Sequence, residues 1–426
     1  MNILKNCTVP PEYSVLFPDT VPPGPDAISG LKPTRVKPGE DGGWVVEFDS
    51  LKGCEVRILC DPDPRVDLAG EISISPGLSD KEKERVGRCQ SRWHVLIDPG
   101  DGPVLKTRKS ALIALGQLLK AVQTSVGVYA VGSIRVWSLE AIADELMTKA
   151  PVDIDSLYCI HAVSNPNGSR WVHTHGLEAL GGFDIDLINP SDEMLGCAHT
   201  FIQALVFAIL EGALGIDEPI FQIAVPRGMI RMAPAQEFDR AVSSRFAGIR
   251  DIEDGHTDNR AVVCEPGRGK RLWRLKESSI EPSRFVMKGF RENMVFALSK
   301  SSSDLLAERA QETYPVLVKA MKEFASLELP VLIKAGCPVD SGDGLEHIWF
   351  QVNSADINGF DGTCLNQPYE VSGLNEGDRG RYGLGQITEW QMQTPMGSLS
   401  PGNLGMIRTV QSNREEIERI MREFHE

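Results

Sequence analysis

Residues 201–210 are apolar on nearly every side, interrupted only by Gln203, so the segment cannot serve as an ordinary surface helix. Ser191, followed by Asp192 and Glu193, supplies an N-cap and an acidic first turn, and the spacing predicts a helix from there to about Glu211. Such a helix needs cover on both faces, which places it at the centre of a domain. The pattern before it alternates. A strand is expected over 93–97, a turn at Asp98-Pro99-Gly100-Asp101-Gly102, a helix over 110–123, a strand over 127–131 and a Ser138-capped helix over 139–149. That order predicts an α+β fold.

A chain of 426 residues has room for two or three such units. The predicted division begins with an extended Pro/Gly-rich lead-in over 1–43 and a small strand-containing segment over 44–84. The central α+β domain with the buried helix follows over 85–249, then a polar and basic connecting segment over 250–300 and a strand-rich α+β C-terminal domain over 301–426. Pro22-Pro23-Gly24-Pro25 argues against regular structure in the lead-in. Residues 44–48 and 55–59 carry strand formers on either side of a hairpin connection. In the last region a helical segment from Ser302 is bent or divided at Pro315. Strands over 330–335 and 345–352, glycine-rich turns and a polar helix over 413–425 complete it.

Lys plus Arg number 44 against 59 Asp plus Glu, a net charge of −15 that repels phosphate backbones, so nucleic acid is not an expected partner. The concentrated basic run, 267–276, offers Arg268, Lys270, Arg271 and Trp273 as anion contacts. Cys264 stands where a Walker A loop needs glycine, and a solvated loop is the expectation there. Nine cysteines without a Cys-x-x-Cys pair read as reduced, structural thiols. The first residues lack the apolar stretch of a secretory signal, and the most apolar segment is about half a bilayer span. A cytoplasmic protein without a membrane segment is expected.

His173 and His175 flank Thr174, and Asp184 and Asp186 flank Ile185. On strands, each pair shares one side of its sheet. Two imidazoles and two carboxylates on neighbouring strands can hold one divalent metal ion, with Glu178 as a base for a bound water. The competing expectation is that these groups satisfy turn amides and each other. His199 reads as a hydrogen-bonded core residue of the apolar helix. In the C-terminal region, 345–352 alternates so that Ile348, Phe350 and Val352 face a core while His347, Trp349 and Gln351 face away, with a covering helix expected there and a ligand-binding face as the alternative. No nucleophile elbow or zinc-protease helix motif occurs.

Glu346-His347-Ile348-Trp349, Gly359-Phe360-Asp361-Gly362, Asn366-Gln367-Pro368, Leu374-Asn375-Glu376-Gly377-Asp378, Ile387-Thr388-Glu389-Trp390 and Gly402-Asn403-Leu404 with Arg408 follow in order. Together they resemble the bacterial YegJ-like domain of unknown function, in which an Asp usually stands at the position of Glu389. His347 and Trp349 of the outward strand face, with Trp390 and Arg408 among these landmarks, are the candidate binding residues. Thr174-His175-Gly176-Leu177, Gly182 and Asp184-Ile185-Asp186 are similar to a second uncharacterised bacterial domain found joined to such modules. Neither resemblance implies a reaction, substrate or cofactor.

The leading expectation is a cytoplasmic bacterial protein that binds another protein without catalysis and without a cofactor. A basic toxin or nuclease would be a natural electrostatic partner, as in an immunity or stress-protection role. The alternative is a metal-dependent hydrolase with one zinc, manganese or iron on His173, His175, Asp184 and Asp186. A purely structural scaffold is the third reading.

Overall fold

Strand Ser91–Asp98 buries Ser91, Trp93, Val95 and Ile97 and turns the residues between them outward, the two-residue period of a sheet with one wet face. It lies in the middle of a seven-stranded sheet ordered Arg35–Pro38, Trp44–Leu51, Cys54–Cys60, Ser91–Asp98, Glu12–Phe17, Gly127–Ala130, Arg135–Trp137. Every neighbouring pair is antiparallel. Lys52 and Gly53, both at positive φ, make the tight turn of the expected hairpin. Helix Val104–Ala121 lays Ala111, Leu112, Leu115 and Leu118 on this sheet. The computed structural model of the protein describes residues 9–39, 43–60, 67–75, 78–217, 220–225, 228–250, 258–266, 280–289, 295–296 and 298–425.

Two expected boundaries are corrected here. Residues 1–43 are not merely a lead-in, because Glu12–Phe17 is a fully enclosed strand between Ser91–Asp98 and Gly127–Ala130. Its last five residues are all buried, so it lacks the alternation that reveals a strand with one wet face. The boundary at 85 also fails, since Ser91–Asp98 pairs with Cys54–Cys60.

The second sheet runs Val295–Phe296, Phe221–Val225, Gly228–Pro234, Arg260–Cys264, Asp184–Ile188, Arg170–His175, Cys159–Ser164. Asp184–Ile188 and Arg260–Cys264 are parallel and the other pairs antiparallel. The expected connecting segment over 250–300 therefore contributes a central strand, Arg260–Cys264, whose five residues are all buried. The basic run 267–276 lies outside the described residues.

Helix Asp192–Leu210 begins where expected, with Ser191 Oγ accepting from the Met194 amide at 3.1 Å. By length and composition it could cross a membrane, and 61% of its most apolar stretch is buried inside the fold. It packs Phe201, Leu205 and Ile209 against Val172, Ile185, Leu187 and Val263 on one face of the sheet. On the opposite face, Trp171, Ile188, Val262 and Cys264 meet Phe238, Phe246 and Ile249.

The third sheet orders Arg379–Gly383, Gly359–Cys364, Leu345–Asp356, Val331–Pro338, Ile387–Thr394, Gly397–Leu399. Helix Lys300–Glu323 covers one side of it, with Pro315 inside. Proline removes the rung to the Gln311 carbonyl from the helical ladder, and the neighbouring Ala310 carbonyl accepts the Trp390 indole at 3.0 Å. Arg309, on the same helix, pairs with Glu145 of helix Leu139–Met147 and donates to the Pro401 carbonyl at 3.0 Å. The overall architecture is the expected multidomain α+β fold with a strand-rich C-terminal region.

Candidate metal centre

Strands Cys159–Ser164 and Arg170–His175 pair so that His161 lies opposite His173 and Cys159 opposite His175. Directly opposed residues share a sheet face, and so do residues two apart on one strand. Cys159, His161, His173 and His175 consequently form a two-by-two block on one face. The nitrogens that His161, His173 and His175 could offer a metal lie within 4.8 Å of one another. Their ring centroids are 5.4 Å (161 to 173), 4.7 Å (161 to 175) and 4.9 Å (173 to 175) apart. His173 and His175 are only 2% and 7% exposed, and the Trp171 ring stacks on His173 at 3.8 Å. Cys159 Sγ is 3.4 Å from His161 Nε2. Burial pushes the Cys159 thiol up to about 12.

The two aspartates share this face but are occupied by other partners. Asp186 lies opposite His173. It accepts from Trp171 Nε1 at 3.1 Å and Arg260 Nη2 at 2.9 Å, and pairs with Arg250 Nε at 2.9 Å. Asp184 accepts from Thr174 Oγ1 at 2.8 Å and the Leu177 amide at 3.2 Å, with Arg260 Nη1 at 3.8 Å. Burial raises the Asp184 carboxyl to about 6, against the lowering pull of Arg260. Within the expected set of His173, His175, Asp184 and Asp186, the two carboxylates lie against two buried arginines, and His161 is the third imidazole facing the two histidines. Glu178 is exposed in the turn Glu178–Leu180.

The Thr174-His175-Gly176 motif has a local physical account. Thr174 Oγ1 accepts from the Ile185 amide at 2.8 Å while donating to Asp184, which locks the two strands together. Gly176 sits at φ +110, where a Cβ would meet the Ser133 Cα at 2.9 Å and the Leu157 carbonyl at 3.1 Å. Only glycine fits both the backbone angle and the approach.

His199 is not a core residue. Its side chain is 63% exposed, with Nε2 3.2 Å from Asp155 Oδ2. Asp155 also accepts from Tyr158 and Gln203, and it holds the His199 imidazole above its usual range. The apolar stripe passes beside His199 rather than through it.

The C-terminal candidates separate by face. Glu389, Lys334 and Trp349 form a row across three strands. Lys334 Nζ is 5.0 Å above the Trp349 ring and 3.0 Å from Glu389. His347 is exposed and Trp349 half-buried, so this face is more open than the expected helical cover allows; His347 Nδ1 meets Thr388 Oγ1 at 3.1 Å. Trp390 is fully buried on the opposite face, under the helix. Arg408 reaches out of its own region to Asp144 at 2.7 Å and Glu82 at 3.4 Å. Its partner Asp144, with Arg309 and Glu145, borders a cleft of about 50 Å³ lined also by Arg135, Trp137 and Asn403.

Sequence reasoning missed His161 and treated Cys159 as a small core thiol. The available signal was the matched spacing, Cys-x-His at 159–161 against His-x-His at 173–175, readable once the two strands are taken as a hairpin.

A family model described as an uncharacterized protein conserved in bacteria (DUF2314) matches residues 304–416. The match contains the ordered landmarks between Glu346 and Arg408. No curated protein and no solved structure matches the chain.

Proposed function

We propose that the protein binds one divalent transition-metal ion on its central sheet, through His161, His173 and His175. The observation that carries this reading is the convergence of three imidazoles from two paired strands within 4.8 Å. Imidazole nitrogens suit zinc, copper, nickel and iron better than calcium or magnesium. The Asp184, Asp186, Arg250 and Arg260 network beside them balances its own charge. Burial of His173 and His175 favours a held ion over an open hydrolytic one. A hydrolase would need water in the fourth position and Glu178 as its base. Elemental analysis of untagged, full-length protein should find about one metal per chain. The His161→Ala/His173→Ala double variant should lose it while keeping its helical circular dichroism. A metal-free wild type after zinc supplementation would end the reading.

The same protein is read as a cytoplasmic binder of another protein. The partly open row Trp349, Lys334 and Glu389, with His347 beside it, supports this reading, since half-buried aromatics under a cation are common interface anchors. A basic partner suits a chain at −15. Capture from a bacterial host at low salt should return a stoichiometric protein that Trp349→Ala weakens. Equal capture by the variant would count against the row.

A further inference from the structure

The block of four side chains on the central sheet has one member that the three-histidine reading leaves unused. Cys159 is the cross-strand partner of His175 and sits two residues before His161 on the same strand. It therefore occupies the remaining corner of the block, and its Sγ is already 3.4 Å from His161 Nε2. Direct cross-strand partners have Cβ atoms about 4.5–5.5 Å apart. Two such pairs side by side surround a point that four short side chains can reach.

We propose that Cys159 is the fourth ligand, closing a three-histidine, one-cysteine centre that selects a thiophilic divalent ion, zinc first, over manganese or magnesium. This rests on the three-histidine reading and narrows it. Zinc is tetrahedral in closed sites, with bonds of about 2.0–2.1 Å to nitrogen and about 2.3 Å to sulfur. The three imidazole nitrogens lie within 4.8 Å of one another, and Cys159 Sγ, beside His161, has to turn toward His173 and His175 for the four to reach those lengths. On binding, the S–H bond breaks, the metal–sulfur bond forms and the proton leaves to solvent. Each histidine contributes a neutral nitrogen lone pair, and nothing is oxidised or reduced. A fourth protein ligand leaves no position for a reactive water, so the centre holds the two strands together rather than hydrolysing a substrate.

The test is cobalt(II) titration of the full-length, reduced protein. The expected result is one cobalt per chain with a thiolate-to-cobalt charge-transfer band in the near ultraviolet. In Cys159→Ser, cobalt should still bind, at least about tenfold more weakly, and the band should vanish. Wild-type binding without the band, or a band that survives in Cys159→Ser, overturns the fourth ligand and leaves the three histidines standing. No cobalt binding by wild type overturns both. Should Cys159→Ser fail to fold, X-ray absorption of the zinc-loaded wild type decides: one sulfur with three nitrogens is required, and an all-nitrogen-and-oxygen shell refutes it.

Discussion

Replacing Asp186 by asparagine separates the two roles open to that residue, metal ligand and buried counter-ion. Its carboxylate is fully buried and serves Arg250, Arg260 and the Trp171 indole at 2.9, 2.9 and 3.1 Å. Asparagine keeps the shape but removes the charge, leaving guanidinium groups that are 7% and 1% exposed. Arg250 retains Asp239 at 2.6 Å, and Arg260 retains the more distant Asp184 at 3.8 Å. The loss therefore corresponds to breaking one buried pair rather than two, about 3–5 kcal/mol, a large share of the about 5–15 kcal/mol that holds a typical domain together. Urea unfolding of metal-free protein, followed by tryptophan emission, reads it, because Trp171 lies in the network. Several domains make several transitions, and the shift should be confined to one of them. At low denaturant, the folded variant should still take up metal. A loss below about 1 kcal/mol, accompanied by failure to bind metal, would show that Asp186 ligates the ion and that its pairing with the two arginines is incidental.

Asp184 gives a pH signature. Its carboxyl is raised to about 6 in the fold by burial, against about 3.9 unfolded. Between about pH 4 and 6 the folded chain keeps a proton that the unfolded chain has released, so rising pH should lower stability by roughly 3 kcal/mol through this group. Asp184→Asn, compared with wild type by urea midpoints in metal-free protein, should remove that slope, and parallel curves would contradict it. Trp390→Ala should cost about 3–5 kcal/mol in thermal or chemical unfolding, whereas Trp349→Ala should stay within about 1 kcal/mol; the reverse order would mean the two faces of the C-terminal sheet have been exchanged. Gly359 at φ +150 would place a Cβ 2.0 Å from the Tyr382 carbonyl. Gly359→Ala should therefore cost roughly 2–4 kcal/mol and expose the Arg379–Gly383 edge strand to proteolysis; unchanged cleavage would refute the contact.

Local chemistry was the readable part of this sequence. Ser138 and Ser191 start their helices as expected because an N-cap hydroxyl acts on an amide only three residues ahead. Strands Trp44–Leu51 and Cys54–Cys60 were visible because alternation and a tight turn are short-range signals. Glu12–Phe17 was hidden because its partners lie far along the chain and its buried residues show no period. At the site, His173 and His175 declared themselves by spacing. The fate of Asp184 and Asp186 did not, because the cation that claims both, Arg260, arrives more than seventy residues later from a parallel strand. Parallel pairing leaves no turn in the sequence to announce it. The exposure of His199 was missed because a helix that is apolar almost all round gives no indication of where its wet edge falls.

The position of Glu12–Phe17 also dictates an order of events during synthesis. The strand leaves the ribosome well before its partners, one of which begins at Ser91 and the other at Gly127. At about 5–20 residues per second, the roughly 110 residues from Phe17 to Gly127 take about 6–22 s to emerge. For that interval a segment containing Tyr13, Val15, Leu16 and Phe17 waits with its edges uncovered, a natural client for a chaperone. Shortening the chain from its amino-terminal side past Glu12 would not trim a loose end; it would part the first sheet down the middle, between Ser91–Asp98 and Gly127–Ala130.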